Sequence, residues 1–124
     1  MLLTRIVTDA AGESHFDEVE VSMSVTAFAP PAPQFLVSDP MEADRALFSS
    51  IPAGYFGDWH PAPCRQIAVI LGGSAEVGVS DGESRTFGPG DAVLLEDTGG
   101  RGHTTRVLGD EDFLLMFAQL PDGG

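Results

Sequence analysis

The sequence predicts an all-β fold, a barrel or a two-sheet jelly roll, and three observations predict it. Short segments in which apolar and polar residues alternate recur along the whole chain. Turn chemistry separates them, as in Asp81-Gly82 and Gly88-Pro89-Gly90-Asp91. No stretch holds an apolar stripe at helical spacing for more than about one turn.

Taken in order, Leu3 to Thr8 and Phe16 to Val25 read as strands, the second with Phe16, Val19, Val21, Met23 and Val25 mostly on one face. Between them DAAGESH is a turn that delivers His15 to the start of the second strand, where it either faces a pocket or solvates the strand end. Prolines at 30, 31 and 33 remove donors that a central strand needs, so Ala29 to Pro33 is an extended connector. Gln34 to Val37 is a brief edge strand, SDPMEAD a turn, and Arg45 to Ile51 another short strand closed by Pro52 to Gly57. In GYFGDWHPAPCRQIAVILGG, from Gly54 to Gly73, His60 sits at the mouth of a strand that runs apolar into a glycine turn. Ser74 to Ser80 and Ser84 to Phe87 flank the Asp81-Gly82 hairpin signal. Ala92 to Leu95, the loop EDTGGRG, His103 to Leu108 and Asp112 to Leu120 follow.

A chain of 124 residues makes one domain, 1–124, and buries enough surface to need no cross-link. The single cysteine, Cys64, cannot form an intrachain disulfide and suits a reducing interior, so the cytoplasm is the expected compartment. No run is long and apolar enough for a membrane helix, and the opening MLLTRIVTDAAG lacks the marks of a signal peptide. Nineteen acidic residues against six arginines and no lysine give a net charge of −13. Such a surface repels phosphate backbones and anionic lipids, so neither nucleic acid nor membrane is an expected partner. The lack of lysine excludes Schiff-base chemistry and a lysine-bearing phosphate loop; the nucleophile elbow and the dinucleotide fingerprint are absent too.

Gly54, His60, Ala62, Gln66 and Gly73 stand at the spacing of a glycine, five residues, His-x-His, three residues, Glu, six residues and a glycine. Gly90-Asp91 opens a second frame whose histidine is His103, with Glu96 and Thr98 in place of Pro and Gly, Val107 in place of Asn, and two extra residues in the loop 97–102. In these residues the chain resembles the small single-domain cupins of the RmlC-like jelly-roll superfamily, from about Arg45 onward. The resemblance implies a double-stranded β-helix, with 45–120 as the barrel frame and 1–44 as N-terminal strands and a proline-rich connector. It also implies a homodimer, to which the exposed edge of the N-terminal strands contributes.

In metal-binding relatives the corresponding histidines and glutamate converge on one ion. Here His60 and His103 remain, while Gln66 stands for the glutamate and Ala62 for the second histidine. An uninterrupted strand from His60 would also turn Cys64 and Gln66 inward, making Cys64 a soft donor. Without a metal, as the leading expectation has it, the two histidines form an acid/base pair and Gln66 orients a substrate carbonyl or hydroxyl. Tyr55, Phe56 and Trp59 then wall the pocket, Arg65 and Arg101 hold an acidic substrate or pair with the acidic surface, and His15 is a further candidate contact. Three functions follow: an isomerase, dehydratase or cyclase working by proton transfer; a metal-dependent dioxygenase or isomerase with iron, manganese, nickel or zinc on His60, His103 and Gln66; or a non-catalytic small-ligand binder.

Overall fold

The computed structural model describes residues 1–122. Twelve strands run in order: β1 Leu2–Thr8, β2 Ser14–Glu20, β3 Met23–Thr26, β4 Phe35–Ser38, β5 Arg45–Ile51, β6 Phe56–His60, β7 Gln66–Gly72, β8 Ser74–Val79, β9 Ser84–Phe87, β10 Ala92–Leu95, β11 His103–Leu108 and β12 Phe113–Gln119. Among the described residues no helix is long and apolar enough to cross a membrane.

The strands form a six-stranded sheet, ordered β2-β1-β10-β7-β12-β5, a four-stranded sheet, β6-β11-β8-β9, and the separate pair β3-β4. Alternation decides which side of each strand faces the other sheet. In β7 that side carries Gln66, Ala68 and Ile70, all buried, and in β8 it carries Ala75 and Val79. With Ile6, Phe16, Phe87, Val93, Leu95, Val107, Phe113 and Leu115 they form the inter-sheet core of a jelly roll. A smaller cluster of Leu3, Leu94 and Leu120 lies on the outer side of the larger sheet.

Three local expectations change. The second predicted strand stops at Glu20, where its ladder with Leu2 of β1 ends, and Met23 to Thr26 pairs with β4 instead. The strand expected to run from His60 is broken by Pro61 and Pro63, which cannot donate to a ladder. His60 therefore ends β6 in the smaller sheet, and Gln66 opens β7 in the larger. The barrel frame also reaches back before residue 45, because β1 lies between β2 and β10 within the six-stranded sheet.

Glycines make the sharpest returns. At Gly102 the backbone has φ of 73°, and a Cβ there would collide with the carbonyl of His60. The β6–β11 register depends on that approach, with His103 directly opposite His60. Gly102→Ala is expected to cost about 2 kcal/mol or more, whereas the same change at Gly57, where φ is not positive and a Cβ meets only the Tyr55 side chain, costs less. Urea unfolding of both variants checks this; equal midpoints would contradict it.

Candidate functional site

The space between the sheets is not filled. A cavity of about 280 Å³ is lined by apolar side chains of both sheets, among them Leu47, Ile51, Ala68, Val77 and Phe117. Its polar lining comes from Tyr55, His60, Gln66, His103, Thr105 and Gln119. The frame spacing read in the sequence thus brings His60, Gln66 and His103 to one cavity, although they lie on three strands of two sheets.

Adjacent strands place the histidines side by side, with ring centroids 4.8 Å apart and planes inclined at 55°. His103 is buried and His60 exposed. His60 Nδ1 lies 2.7 Å from the carbonyl oxygen of Asp58, which can only accept, so Nδ1 carries the proton. His103 Nδ1 lies 2.6 Å from Oδ2 of Asp97, a carboxylate with no solvent exposure. Donation from Nδ1 in both rings fixes the tautomer and leaves both Nε2 atoms without a hydrogen-bond partner among the described residues. Asp97 is a member of the site that sequence reasoning missed. Its second oxygen, Oδ1, has no hydrogen-bond partner among the described residues.

Elsewhere in the lining, Gln119 Nε2 donates to Gln66 Oε1 at 3.2 Å. That leaves the buried Oε1 of Gln119 without a partner among the described residues. A buried acceptor in that state is costly unless a ligand or water supplies a donor. Gln119, Thr105 and Pro63 were also missed; inward parity along β11 and β12 was the signal that could have found the first two.

Other expected contacts lie outside the lining. Trp59 and Phe56 are exposed, the first beneath the Arg101 guanidinium at 5.1 Å and the second beneath Arg106 at 4.7 Å. Only Tyr55 of the three aromatics lines the cavity. Arg65 turns outward, its Nε 2.7 Å from Glu96 and its Nη1 3.0 Å from the carbonyl of Pro121, so neither it nor Arg101 stands ready for an acidic substrate in the cavity. Cys64 is half-buried, its Sγ 3.9 Å from Gln66 Oε1, because the strand break takes it off the inward parity. His15 lies between two surface carboxylates, with Nε2 2.6 Å from Asp9 and Nδ1 2.9 Å from Asp81.

The divalent ion that the resemblance implies needs a donor set that suits it. Two imidazoles with free Nε2 atoms suit a metal, and the bonds behind them are of the kind that orient ligating histidines. The remaining donor, Gln66, is a neutral amide whose oxygen already accepts from Gln119. Position 62, which would carry the second histidine, is an alanine in the packed core and outside the cavity lining. Among the described residues no three His, Cys, Asp or Glu side chains stand together as a metal site. Nothing in the set offsets the ion's charge directly, so these residues do not fit a firmly held divalent metal.

No family model and no curated protein matches the chain. Solved structures similar to it include a cupin domain of Cnp3 from Schizosaccharomyces pombe, at 16% identity, TM-score 0.48, 86% of this chain and 72% of that one. An RmlC-like cupin from Desulfovibrio desulfuricans matches at 15% identity, TM-score 0.45, 79% of this chain and 81% of that one. A conserved Streptococcus pyogenes protein of unknown function matches at 18% identity, TM-score 0.45, 80% of this chain and 96% of that one. The jelly roll follows from the strand order of this chain itself.

The surface histidine carries its own prediction. Hydrogen bonds from His15 to Asp9 and then Asp81 hold the imidazole pKa above its ordinary value, and Asp9 is held low chiefly by the same bond. Asp81 is held low first by the backbone N–H of Glu83 and then by His15. The imidazole's contribution to clasping the two turns is full below about pH 6.5 and is lost as pH rises through its raised value; that of the carboxylates fades as pH falls through their depressed values. An NMR titration should place the His15 midpoint above 6.5, and a midpoint at or below it contradicts the clasp.

Proposed function

We propose that this cupin-type jelly roll is an isomerase-type enzyme that moves a proton within a small, neutral, partly apolar molecule. The observation that carries the reading is the pair of adjacent imidazoles, each with Nδ1–H tied to an oxygen and Nε2 free among the described residues, at the polar side of an apolar cavity. Nε2 of one ring removes a proton from an atom beside a carbonyl. The same ring, or its neighbour, returns a proton at an atom two bonds away. Because the rings sit side by side rather than across the cavity, both transfers occur on one face of the substrate. Asp97 holds His103 in register for this and stabilises the imidazolium formed there.

The rest of the lining supports a neutral substrate. It contains no arginine, aspartate or glutamate, so a carboxylate or phosphate would lie there uncompensated. The unpartnered Gln119 oxygen calls for a hydroxyl or N–H on the ligand, and the Gln66 amide, with its nitrogen still free to donate among the described residues, suits a carbonyl beside it. The volume is at the small end of ligand cavities, which run from about 300 to 1,000 Å³. Hydroxy-ketones and lactams of modest size have these features.

The test is hydrogen–deuterium exchange at carbon in D₂O, read by NMR over a panel of neutral hydroxy-ketones and lactams. The wild type should catalyse exchange in some members, and His60→Ala should lose about 10²-fold or more without a change in melting temperature. Asp97→Asn should lose a comparable factor with the cavity intact. Ligand binding without exchange in the whole panel would replace catalysis by the small-ligand-binding reading.

The metal-dependent alternative, an oxygenase or isomerase using His60, His103 and Gln66, keeps one observation in its favour, the two free Nε2 atoms. After dialysis against a mild chelator the wild type should hold well under one equivalent of iron, manganese, nickel or zinc. Gln66→Glu supplies the missing charge and should tighten zinc by about tenfold or more. Stoichiometric metal in the wild type would overturn the metal-free reading.

A further inference from the structure

The strand registers sort the cavity lining into layers, because residues directly opposite one another on neighbouring strands point to the same side of a sheet. Across the larger sheet Gln119 of β12 stands opposite Gln66 of β7, and Gln66 opposite Leu95 of β10. Across the smaller sheet His103 stands opposite His60. These two rows hold both amides and both imidazoles. Two residues along the strands, about 6.7 Å further on, Phe117 stands opposite Leu47 and Ala68, and Ala68 opposite Val93. In the facing sheet Thr105 stands opposite Val77 and Gly57. Beyond them Leu115 is opposite Ile70, and Phe113 opposite Ile51. All of these except Gly57 line the cavity. Polarity therefore falls from amides and imidazoles in the first layer to hydroxyls in the second and none in the third.

The cavity opens at the seam between the edge strands β5 and β6. Its exposed lining residues, Leu47, Tyr55, His60 and Pro63, lie on these strands or in the loops that flank β6. Gly57 faces the cavity beside Thr105 without a side chain. The Tyr55 ring takes that place, its Cε1 and hydroxyl oxygen each 3.0 Å from where a Cβ would stand. The backbone at Gly57 does not demand glycine, since its φ is not positive; what the missing side chain permits is the ring.

We infer that the cavity takes a ligand with one neutral polar head and one short apolar tail, the head against the amides and imidazoles, the tail among Ala68, Val77 and Phe117 beneath the Tyr55 ring. The inference rests on the neutral-substrate reading above and adds where each end of the molecule lies and what sets its length. Space limits the tail. The cavity of about 280 Å³ holds roughly nine non-hydrogen atoms at about 30 Å³ each, so a hydroxy-ketone head leaves a tail of about five carbons. Ala68, standing between Phe117 and Val93 in the second layer, keeps that room open. A second polar group at the far end of the ligand would meet only Leu115, Ile70 and Phe113 and lose its hydrogen bonds to water, which excludes sugars and diols that are polar along their whole length.

Hydroxyacetone and its straight-chain homologues test this in a titration followed by the amide NMR shifts of the protein, which reads binding whether or not the ketone reacts. Affinity should rise roughly three- to fourfold with each added methylene up to a tail of about five carbons and then stop rising. A hydroxyl at the end of that tail should weaken binding about tenfold or more. Ala68→Leu should move the break to a tail shorter by about three carbons. Val77→Phe, from the facing sheet, makes the same test should that variant misfold. Tyr55→Phe should keep the gain per methylene, while Tyr55→Ala, which lets water reach the tail, should reduce it to about twofold or less. This binding pattern without any deuterium exchange would strike the catalytic reading and leave the ligand class standing; exchange in ketones whose affinity ignores tail length would do the reverse. No binding by any member of the series, a break that both wall variants leave in place, or a gain per methylene unchanged in Tyr55→Ala would each overturn the inference.

Discussion

The loop 96–102 holds the site and much of the fold together, and the bond from His103 to the buried carboxylate of Asp97 is its centre. Around that bond the backbone carbonyl of Asp97 accepts the N–H of Ala62 at 2.9 Å, pinning the proline break between β6 and β7. Gly102 presses against the His60 carbonyl, and its own carbonyl accepts from Ser14 Oγ at 2.6 Å. The N–H of Arg101 reaches the carbonyl of Gly12 at 3.0 Å. One loop therefore fixes both histidines and ties the β1–β2 turn to the smaller sheet. The backbone bonds of the loop tie these elements together, while the buried carboxylate itself is held by His103 alone among the described residues.

Why the barrel is hollow follows from what its strands turn inward. Phe16 and Phe87 approach each other, ring centroids 6.2 Å apart, and fill one end of the inter-sheet space. Towards the other end small or polar residues, Ala68, Val77, Val93, Thr105, Gln66 and Gln119, stand among the larger side chains of the lining and leave space between them. Sheets packed face to face stand about 10 Å apart, and side chains of this size do not bridge that gap. The polar groups also satisfy one another only in part, leaving the Gln119 oxygen open. The cavity is thus written into the pattern of side-chain volume, with its wet end marked by the amides and imidazoles.

Most of the strand frame was legible because alternation and turn chemistry are local. The Asp81-Gly82 hairpin and the Gly88 to Asp91 turn form where the dipeptides place them, the second with the Asp91 carboxylate accepting the Gly88 N–H at 2.8 Å. Fixed spacing likewise carried His60, Gln66 and His103 to one cavity. Asp97 was not legible, since an aspartate in EDTGGRG has the composition of a solvated loop and its burial is made by elements far along the chain. The prolines at 61 and 63 were visible, yet parity across them was lost, and with it the inward placement of Cys64, while Ala62 packs into the core outside the cavity lining. For the β3–β4 segment the sequence showed a face that asks to be buried, while within a single chain nothing buries it.

Charge explains the character of the site better than any single contact. Arg5 binds Asp17 through two bonds of 2.7 and 2.6 Å and reaches Glu96 at 3.3 Å. Arg65 joins the same Glu96, Arg85 pairs with Glu83, and Arg101 and Arg106 cover aromatic rings. The chain has six arginines and no lysine, and these contacts hold five of them at the surface, while Arg45 begins the exposed edge strand. No fixed cation is left for the cavity, and the acidic exterior repels anions before they reach it. What remains to do chemistry is two imidazoles, two amides, a phenol and a hydroxyl. Groups of that kind exchange protons and hydrogen bonds with neutral molecules, and the placement of the arginines away from the cavity supports the neutral partner proposed for it.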